Sequence, residues 1–350
     1  MHLLEVSDLT VSFRTADGVV QAVRGVSFDL DRGQTLGIVG ESGSGKSVCT
    51  QTLLGLTPGA QVTGSARFEG RDLLGMDREE LRTIRGAQIA TVFQDPLSSL
   101  HPHYKVGWQI VEMIRAHTPA GPRAARRQAV DLLALVGIPN PERRVDDYPH
   151  QFSGGMRQRA LIAMALALDP AVVIADEPTT ALDATVQAQI LDLLARLQRD
   201  LGMALVMITH DLGVIAGMAD QVLVMYAGKA AEIADRRTAY YQPHHPYTKG
   251  LLESVPSSSG ARERLRPIPG QPPSLIRLPG GCAFHPRCAF AMDRCRTQDP
   301  PLLAVRGGTG HRSACWLPPH LVGLDEATEQ ERLRAADAGR TAPSHPGGTA

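Results

Sequence analysis

Residues 40 to 47 read Gly-Glu-Ser-Gly-Ser-Gly-Lys-Ser, a spacing of glycines, lysine and serine suited to holding a triphosphate. Gly40, Gly43 and Gly45 carry no Cβ, so the chain can turn tightly and aim successive backbone N–H groups at an anion. Lys46 supplies a point charge for the β- and γ-phosphates and Ser47 a hydroxyl for Mg²⁺, while a following helix adds the partial positive charge of its N-terminus. Glu41, Ser42 and Ser44 occupy the positions that the pattern leaves open and belong to the same cradle. The competing reading is a glycine turn that ends in lysine by chance, and a strand before with a helix after argues against it.

Two further stretches carry chemistry. Val172-Val173-Ile174-Ala175 is an apolar run ending in Asp176 and Glu177. A carboxylate at the end of a buried strand is costly unless it meets a cation, so Asp176 is placed to hold Mg²⁺ through water. Glu177, one residue on, is placed to polarise a water beside the γ-phosphate. About twenty residues earlier, Phe152-Ser153-Gly154-Gly155-Met156-Arg157-Gln158-Arg159 puts a serine and two glycines at the start of a helix, a second anion site. One triphosphate rarely needs two such loops, unless the second serves a nucleotide held by a neighbouring subunit.

These groups need a scaffold that aligns strand ends with helix starts. Leu3–Leu9, Val19–Leu30, Thr35–Val39 and Ile89–Phe93 read as strands, and a helix is expected from Ser47 to Leu56. From Val106 to Val136 the apolar spacing is helical. Then come a helix from Met156 to Leu168, a strand over Val172–Ala175, a helix over Thr185–Leu201 and a strand over Ala204–Ile208. Apolar strands alternating with helices imply an α/β fold with a parallel sheet covered on both faces. After Leu252, Ser254–Gly260 reads as a linker, Pro267–Pro279 as an extended proline-rich segment, and the residues from about Asp325 as a flexible tail.

The chain has 350 residues, enough for one large and one smaller domain, and its 36 basic residues balance 36 acidic ones. That balance argues against nucleic acid as a partner held by bulk positive charge. No 18-residue apolar span and no secretory leader is visible, so the expected place is the cytosol, and a role at a membrane would require docking onto other subunits.

In this order and spacing, the motifs resemble those of ATP-binding cassette subunits, over roughly residues 1–255. The resemblance implies the P-loop cassette fold: a parallel-sheet core, an antiparallel β-subdomain and a helical subdomain at about 95–165. It implies ATP and Mg²⁺, with Ser153, Gly154, Gly155 and Met156 as the signature loop that meets the γ-phosphate of a partner cassette. Phe152 and Met156 stand where leucine and glutamine are usual, yet the serine and both glycines remain, so activity is expected. By the same resemblance Gln94 touches Mg²⁺ and the attacking water, and Asp183, in Thr180-Ala181-Leu182-Asp183, belongs to the loop crossing the dimer interface. His210 contacts the γ-phosphate, Phe13 stacks on adenine, and Glu177, His210 and Gln94 form the catalytic set.

Two stretches resemble the subunits that power peptide importers: Phe93–Pro102, with His101 where asparagine is commoner, and Pro243–Leu252. Nickel and other solute importers share them. The resemblance implies a second, related ATPase subunit, two membrane-spanning permease subunits and an external solute-binding protein, with this chain peripheral on the cytoplasmic face of the membrane. A soluble cassette acting on DNA or ribosomes would need a coiled-coil insertion or a second cassette. A non-hydrolytic regulatory subunit would not need Glu177 and His210 intact.

Of five cysteines, Cys282, Cys288, Cys295 and Cys315 fall in an extension at 256–325, followed by the tail at 326–350. Their intervals lack the close pair usual for zinc, although His285 and His311 could join a mixed zinc site. Four thiolates in a loop-rich segment suit a 4Fe–4S cluster, and the peptide-importer extension carries such a set. Free thiols are the third reading. Cys49 reads as core packing.

Overall fold

The computed structural model describes residues 2–180, 182–254, 267–305 and 310–318. Of the expected linker Ser254–Gly260 only Ser254 is among them, and the tail from about Asp325 lies outside them.

Along the chain, strands β1 (Leu4–Thr15), β2 (Gly18–Leu30) and β3 (Thr35–Val39) precede helix α1 (Lys46–Leu53), and β4 (Ala60–Phe68), β5 (Arg71–Asp72) and β6 (Ile89–Val92) follow it. Helices α2 (Val106–His117), α3 (Pro122–Leu135) and α4 (Gly154–Ala165) lead to β7 (Val172–Asp176), α5 (Ala184–Leu201), β8 (Ala204–Thr209), β9 (Gln221–Tyr226), β10 (Lys229–Asp235) and α6 (Pro246–Glu253). Two short strands close the described chain, β11 (Leu303–Ala304) and β12 (Arg312–Ser313).

The strands form two sheets. One is antiparallel, in the order β2-β1-β4-β5; the other runs β11-β12-β10-β9-β3-β8-β7-β6. In the second, β9, β3, β8, β7 and β6 are parallel, while β10 and β12 add antiparallel at one edge. Every residue of β3, β7 and β8 is buried, as expected for central parallel strands covered on both faces.

Alternate residues of these strands feed opposite cores. Val39, Val173, Ala175, Leu205 and Met207 pack with α2, α3, α4 and α5. Leu36, Ile38, Val172, Ile174, Val206 and Ile208 pack with Cys49 and Leu53 of α1 and with the antiparallel sheet. The period-two alternation therefore clamps the central sheet between helices and a second sheet, and leaves the strand ends to carry the polar groups. Among the described residues no helix is long and apolar enough to cross a membrane.

Local differences from the sequence expectations have local causes. The helix expected to reach Leu56 ends at Leu53, because Gly55 turns left-handed (φ 60°) and its N–H donates to Thr52 O. The first strand runs past Leu9 to Thr15, since β2 and β4 pair with it on both sides across irregularities near Asp8. Strands β9 and β10, unassigned by the sequence reading, form a hairpin around Ala227 and Gly228, both at positive φ (47° and 80°). The apolar run Val222–Tyr226 followed by Ala-Gly was the available signal.

Candidate nucleotide site

The phosphate loop spans the gap between β3 and α1, so its backbone turns at the C-terminal edge of a parallel strand. Two of its glycines are required by close approach. A Cβ on Gly40 would lie 2.2 Å from Met225 O, and one on Gly45, at φ 98°, would lie 2.2 Å from Ala22 O. The loop is thus pressed against β9 on one side and β2 on the other. Glu41 N–H donates to the Tyr247 hydroxyl at 2.8 Å, a partner that no loop motif announces.

Lys46 lies buried at the start of α1, with Nζ donating to Gly40 O at 2.7 Å and to Glu41 O at 3.1 Å. Burial pushes its ammonium below the ordinary lysine value, opposed by the charges of Glu177, Asp176 and Glu41. Ser44 Oγ is buried without a hydrogen-bond partner, an orphan polar atom inside the loop. A cradle of N–H groups with an unused hydroxyl and a desolvated ammonium fits a phosphate group.

At the end of β7, the buried Asp176 accepts a hydrogen bond from Ser47 Oγ at 2.9 Å. Burial raises its carboxyl above the usual range, Ser47 and Lys46 pull it back, and the neighbouring Glu177 raises it further. A hydroxyl and a partly desolvated carboxylate side by side are the hard oxygen donors that Mg²⁺ takes, usually with several waters retained. The donor set therefore fits the expected ion.

Glu177 adopts φ 45°, a left-handed conformation unusual for a side chain of its size, while its N–H donates to Ile208 O at 2.9 Å. Its Oε2 accepts from Gln94 Nε2 at 3.0 Å and from Thr180 Oγ1 at 2.9 Å, and His210 Nδ1 lies 3.4 Å away. Gln94, Thr180 and His210 thus converge on one carboxylate oxygen of Glu177. Thr180 is a further member, which the sequence presents only as part of the Thr180–Asp183 loop.

The second anion loop is built separately. Ser153 caps α4, its Oγ accepting from Met156 N at 3.3 Å, and a Cβ on Gly155 would lie 2.7 Å from Val186 Cγ1. Asp183 caps α5, accepting from Val186 N at 2.9 Å. Among the described residues no hydrogen bond or ion pair joins Ser153–Met156 to the phosphate loop or to Gln94, Asp176, Glu177 or His210. Phe13 sits half-buried in β1, opposite Val20 and Ala60, packed on the core beneath the antiparallel sheet.

Cys282, Cys288, Cys295 and Cys315 line one small cavity together with His245, Phe284, His285 and Trp316. All four are free thiols. Burial pushes Cys282 up to about 11 and Cys315 up to about 12, and raises Cys288 as well. Among the described residues no three His, Cys, Asp or Glu side chains are gathered closely enough to hold a metal ion. Cys49, on the core-facing side of α1, is fully buried, and burial alone raises its thiol to about 12.

Residues 23–180 match the ABC transporter family, and residues 231–295 match the Oligopeptide/dipeptide transporter, C-terminal region family. The chain is 51% identical over 320 residues to the Oligopeptide transport ATP-binding protein OppD of Bacillus subtilis, covering 90% of this chain and 89% of the relative. It is 52% identical over 318 residues to the Dipeptide transport ATP-binding protein DppD of the same organism, covering 90% and 94%. Among solved structures, the ATP-binding cassette MJ0796, a dimer in a post-hydrolysis state bound to ADP and Pi, superposes with a TM-score of 0.60 at 26% identity, covering 67% of this chain and 98% of that one.

Proposed function

As this chain belongs to the ATP-binding subunits of oligopeptide and dipeptide ABC transporters, we propose that it hydrolyses ATP to power import of short peptides across the cytoplasmic membrane. The observation that carries the reading is the convergence of Gln94, Thr180 and His210 on Glu177, next to the Ser47–Asp176 pair and the phosphate loop.

In this reading Lys46 and the loop N–H groups hold the β- and γ-phosphates, and Ser47, Asp176 and Gln94 hold Mg²⁺. That ion supplies charge neutralisation of the phosphates. Glu177 takes a proton from the attacking water as its oxygen bonds to the γ-phosphorus, and ADP leaves with the electron pair of the broken bridge bond. Gln94 and His210 keep the Glu177 oxygen oriented toward that water. Phe13 offers a ring for the adenine.

The separateness of Ser153–Met156 from this cluster supports a site completed by a second cassette, whose own Ser-Gly-Gly loop would face the γ-phosphate. The cassette would occupy 1–255, with 256–325 as an accessory extension. The partners are that second ATPase chain, two permease subunits and an external binding protein, with this chain peripheral on the cytoplasmic face. Copurification with the permease subunits tests this: dipeptides or oligopeptides presented on the binding protein should stimulate ATP hydrolysis. Stimulation by nickel or another solute, with peptides inert, would replace the peptide assignment.

The four cysteines, in the same proposal, hold a 4Fe–4S cluster that braces a loop-rich segment. All four thiols lining one cavity supports it, since a cluster takes its ligands from four thiolates gathered around one space. Protein purified without oxygen should carry about four irons per chain and absorb in the visible. Absence of both iron and absorption would overturn the assignment.

A further inference from the structure

Glu41 stands at the second position of the phosphate loop, where the loop pattern accepts any residue. Its carboxylate is gripped from far along the chain. Arg287 Nη1 donates to Glu41 Oε2 at 2.6 Å and Nη2 to Oε1 at 2.9 Å, a two-point fork across 246 residues. The guanidinium is itself fixed: Nε donates to Pro269 O at 2.8 Å, Nη1 lies 3.4 Å from the Tyr226 hydroxyl, and the plane sits over the rings of Tyr226 and Phe284. Its side chain is only 5% exposed. Phe284 also lines the four-cysteine cavity, so Arg287 is seated in the walls of the C-terminal segment.

We propose that Arg287 is a positioning residue for nucleotide binding: it neutralises Glu41 and holds it, and with it the phosphate loop, in the conformation that receives the triphosphate. Two consequences follow from the geometry. Without Arg287, an unpaired carboxylate would stand beside the phosphates and repel them. The Glu41 peptide, whose carbonyl accepts from Lys46 Nζ and whose N–H donates to Tyr247, would also lose its side-chain anchor. A lysine could not replace the fork, since one ammonium cannot engage both oxygens in that geometry.

The proposal rests on ATP binding at Gly40–Ser47 and is tested on the full chain by MgATP titration and steady-state hydrolysis. R287M should raise the Kd and KM for MgATP about tenfold while kcat changes less than about twofold. Adding E41Q to R287M should restore part of the affinity, because the repelling carboxylate is gone while the lost anchor remains. R287K should give an intermediate rise of about threefold, and it serves as the test should R287M not fold. A KM unchanged in R287M and R287K, or an affinity loss just as large in the E41Q background, would overturn the proposal. The unmutated chain separates the two readings: if it binds no MgATP the nucleotide site itself fails, whereas normal binding with R287M unaltered removes only the role of Arg287.

Discussion

Gln94 Nε2 donates to Glu177 Oε2 across 3.0 Å, joining the exits of two adjacent parallel strands that are 83 residues apart in the chain. The register of β6 against β7, Val92 opposite Ala175, makes that meeting possible. The same oxygen accepts from Thr180, so the carboxylate is held by donors rather than free to rotate.

Glu177→Gln keeps the shape and removes the base. ATP hydrolysis should fall by a factor on the order of a thousand with MgATP affinity preserved. Phosphate release measured beside nucleotide titration checks both halves. Retained turnover would unseat Glu177 as the proton acceptor.

Asp176→Asn preserves an acceptor for Ser47 Oγ yet deletes the charge that the ion needs. Hydrolysis should drop by about a hundredfold, and the Mg²⁺ concentration for half-maximal activity should rise. Titrating Mg²⁺ at fixed ATP distinguishes this from a folding defect, which would lower activity without shifting the midpoint.

Gly45→Ala introduces a Cβ 2.2 Å from Ala22 O at a residue with φ 98°. The obstacle is backbone, not a side chain that can swing away. The cost is roughly 3 kcal/mol, and the loop should lose MgATP binding. Thermal unfolding and nucleotide titration of the variant measure the two effects separately.

Acid should destabilise the join between α6 and the main sheet. His245 is buried, and burial pushes its imidazole down to about 4 despite the nearby Glu232. His244, also buried, is lowered for the same reason. The unfolded chain takes up a proton at His245 near its ordinary value of 6.5. Between that value and about 4 the unfolded state therefore binds more protons, so stability is complete above the window and falls as pH is lowered through it, by about 3 kcal/mol for His245 alone. Glu232 acts in the same direction at lower pH. Burial alone would raise it, but hydrogen bonds from the His311 ring and the N–H groups of His244 and His245 hold its carboxyl below the usual range. Melting temperatures from about pH 7 to about pH 5 should fall, and His245→Asn, which keeps an N-cap acceptor for Tyr247 N–H, should flatten that slope. An unchanged slope in the variant would exclude His245 as the titrating group.

The parts that sequence alone determined are those whose geometry is local. Gly40–Ser47 encodes its own turn because consecutive residues decide backbone conformation. The uninterrupted apolar runs at Thr35–Val39 and Val172–Ala175 announced strands buried on both faces, and Ser153 announced a helix start, since capping is settled within four residues. Half-exposed strands are harder to read: the expectation for β1 stops at Leu9 and none covers β4, because a solvated face blurs the apolar alternation.

What tertiary structure alone decided is which distant groups meet. The family resemblance grouped Gln94, Glu177 and His210 as one set, but neither the oxygen on which they meet, nor Thr180 beside them, nor the reach of Arg287 to Glu41 across 246 residues follows from any spacing; strand order and register bring such groups together. The odd left-handed backbone at Glu177 was equally invisible, since a glutamate takes that conformation only when its surroundings over-determine it. Local chemistry is written in neighbouring residues, whereas a reactive site is an intersection of segments, and only packing of the sheet and its extension chooses the point of intersection.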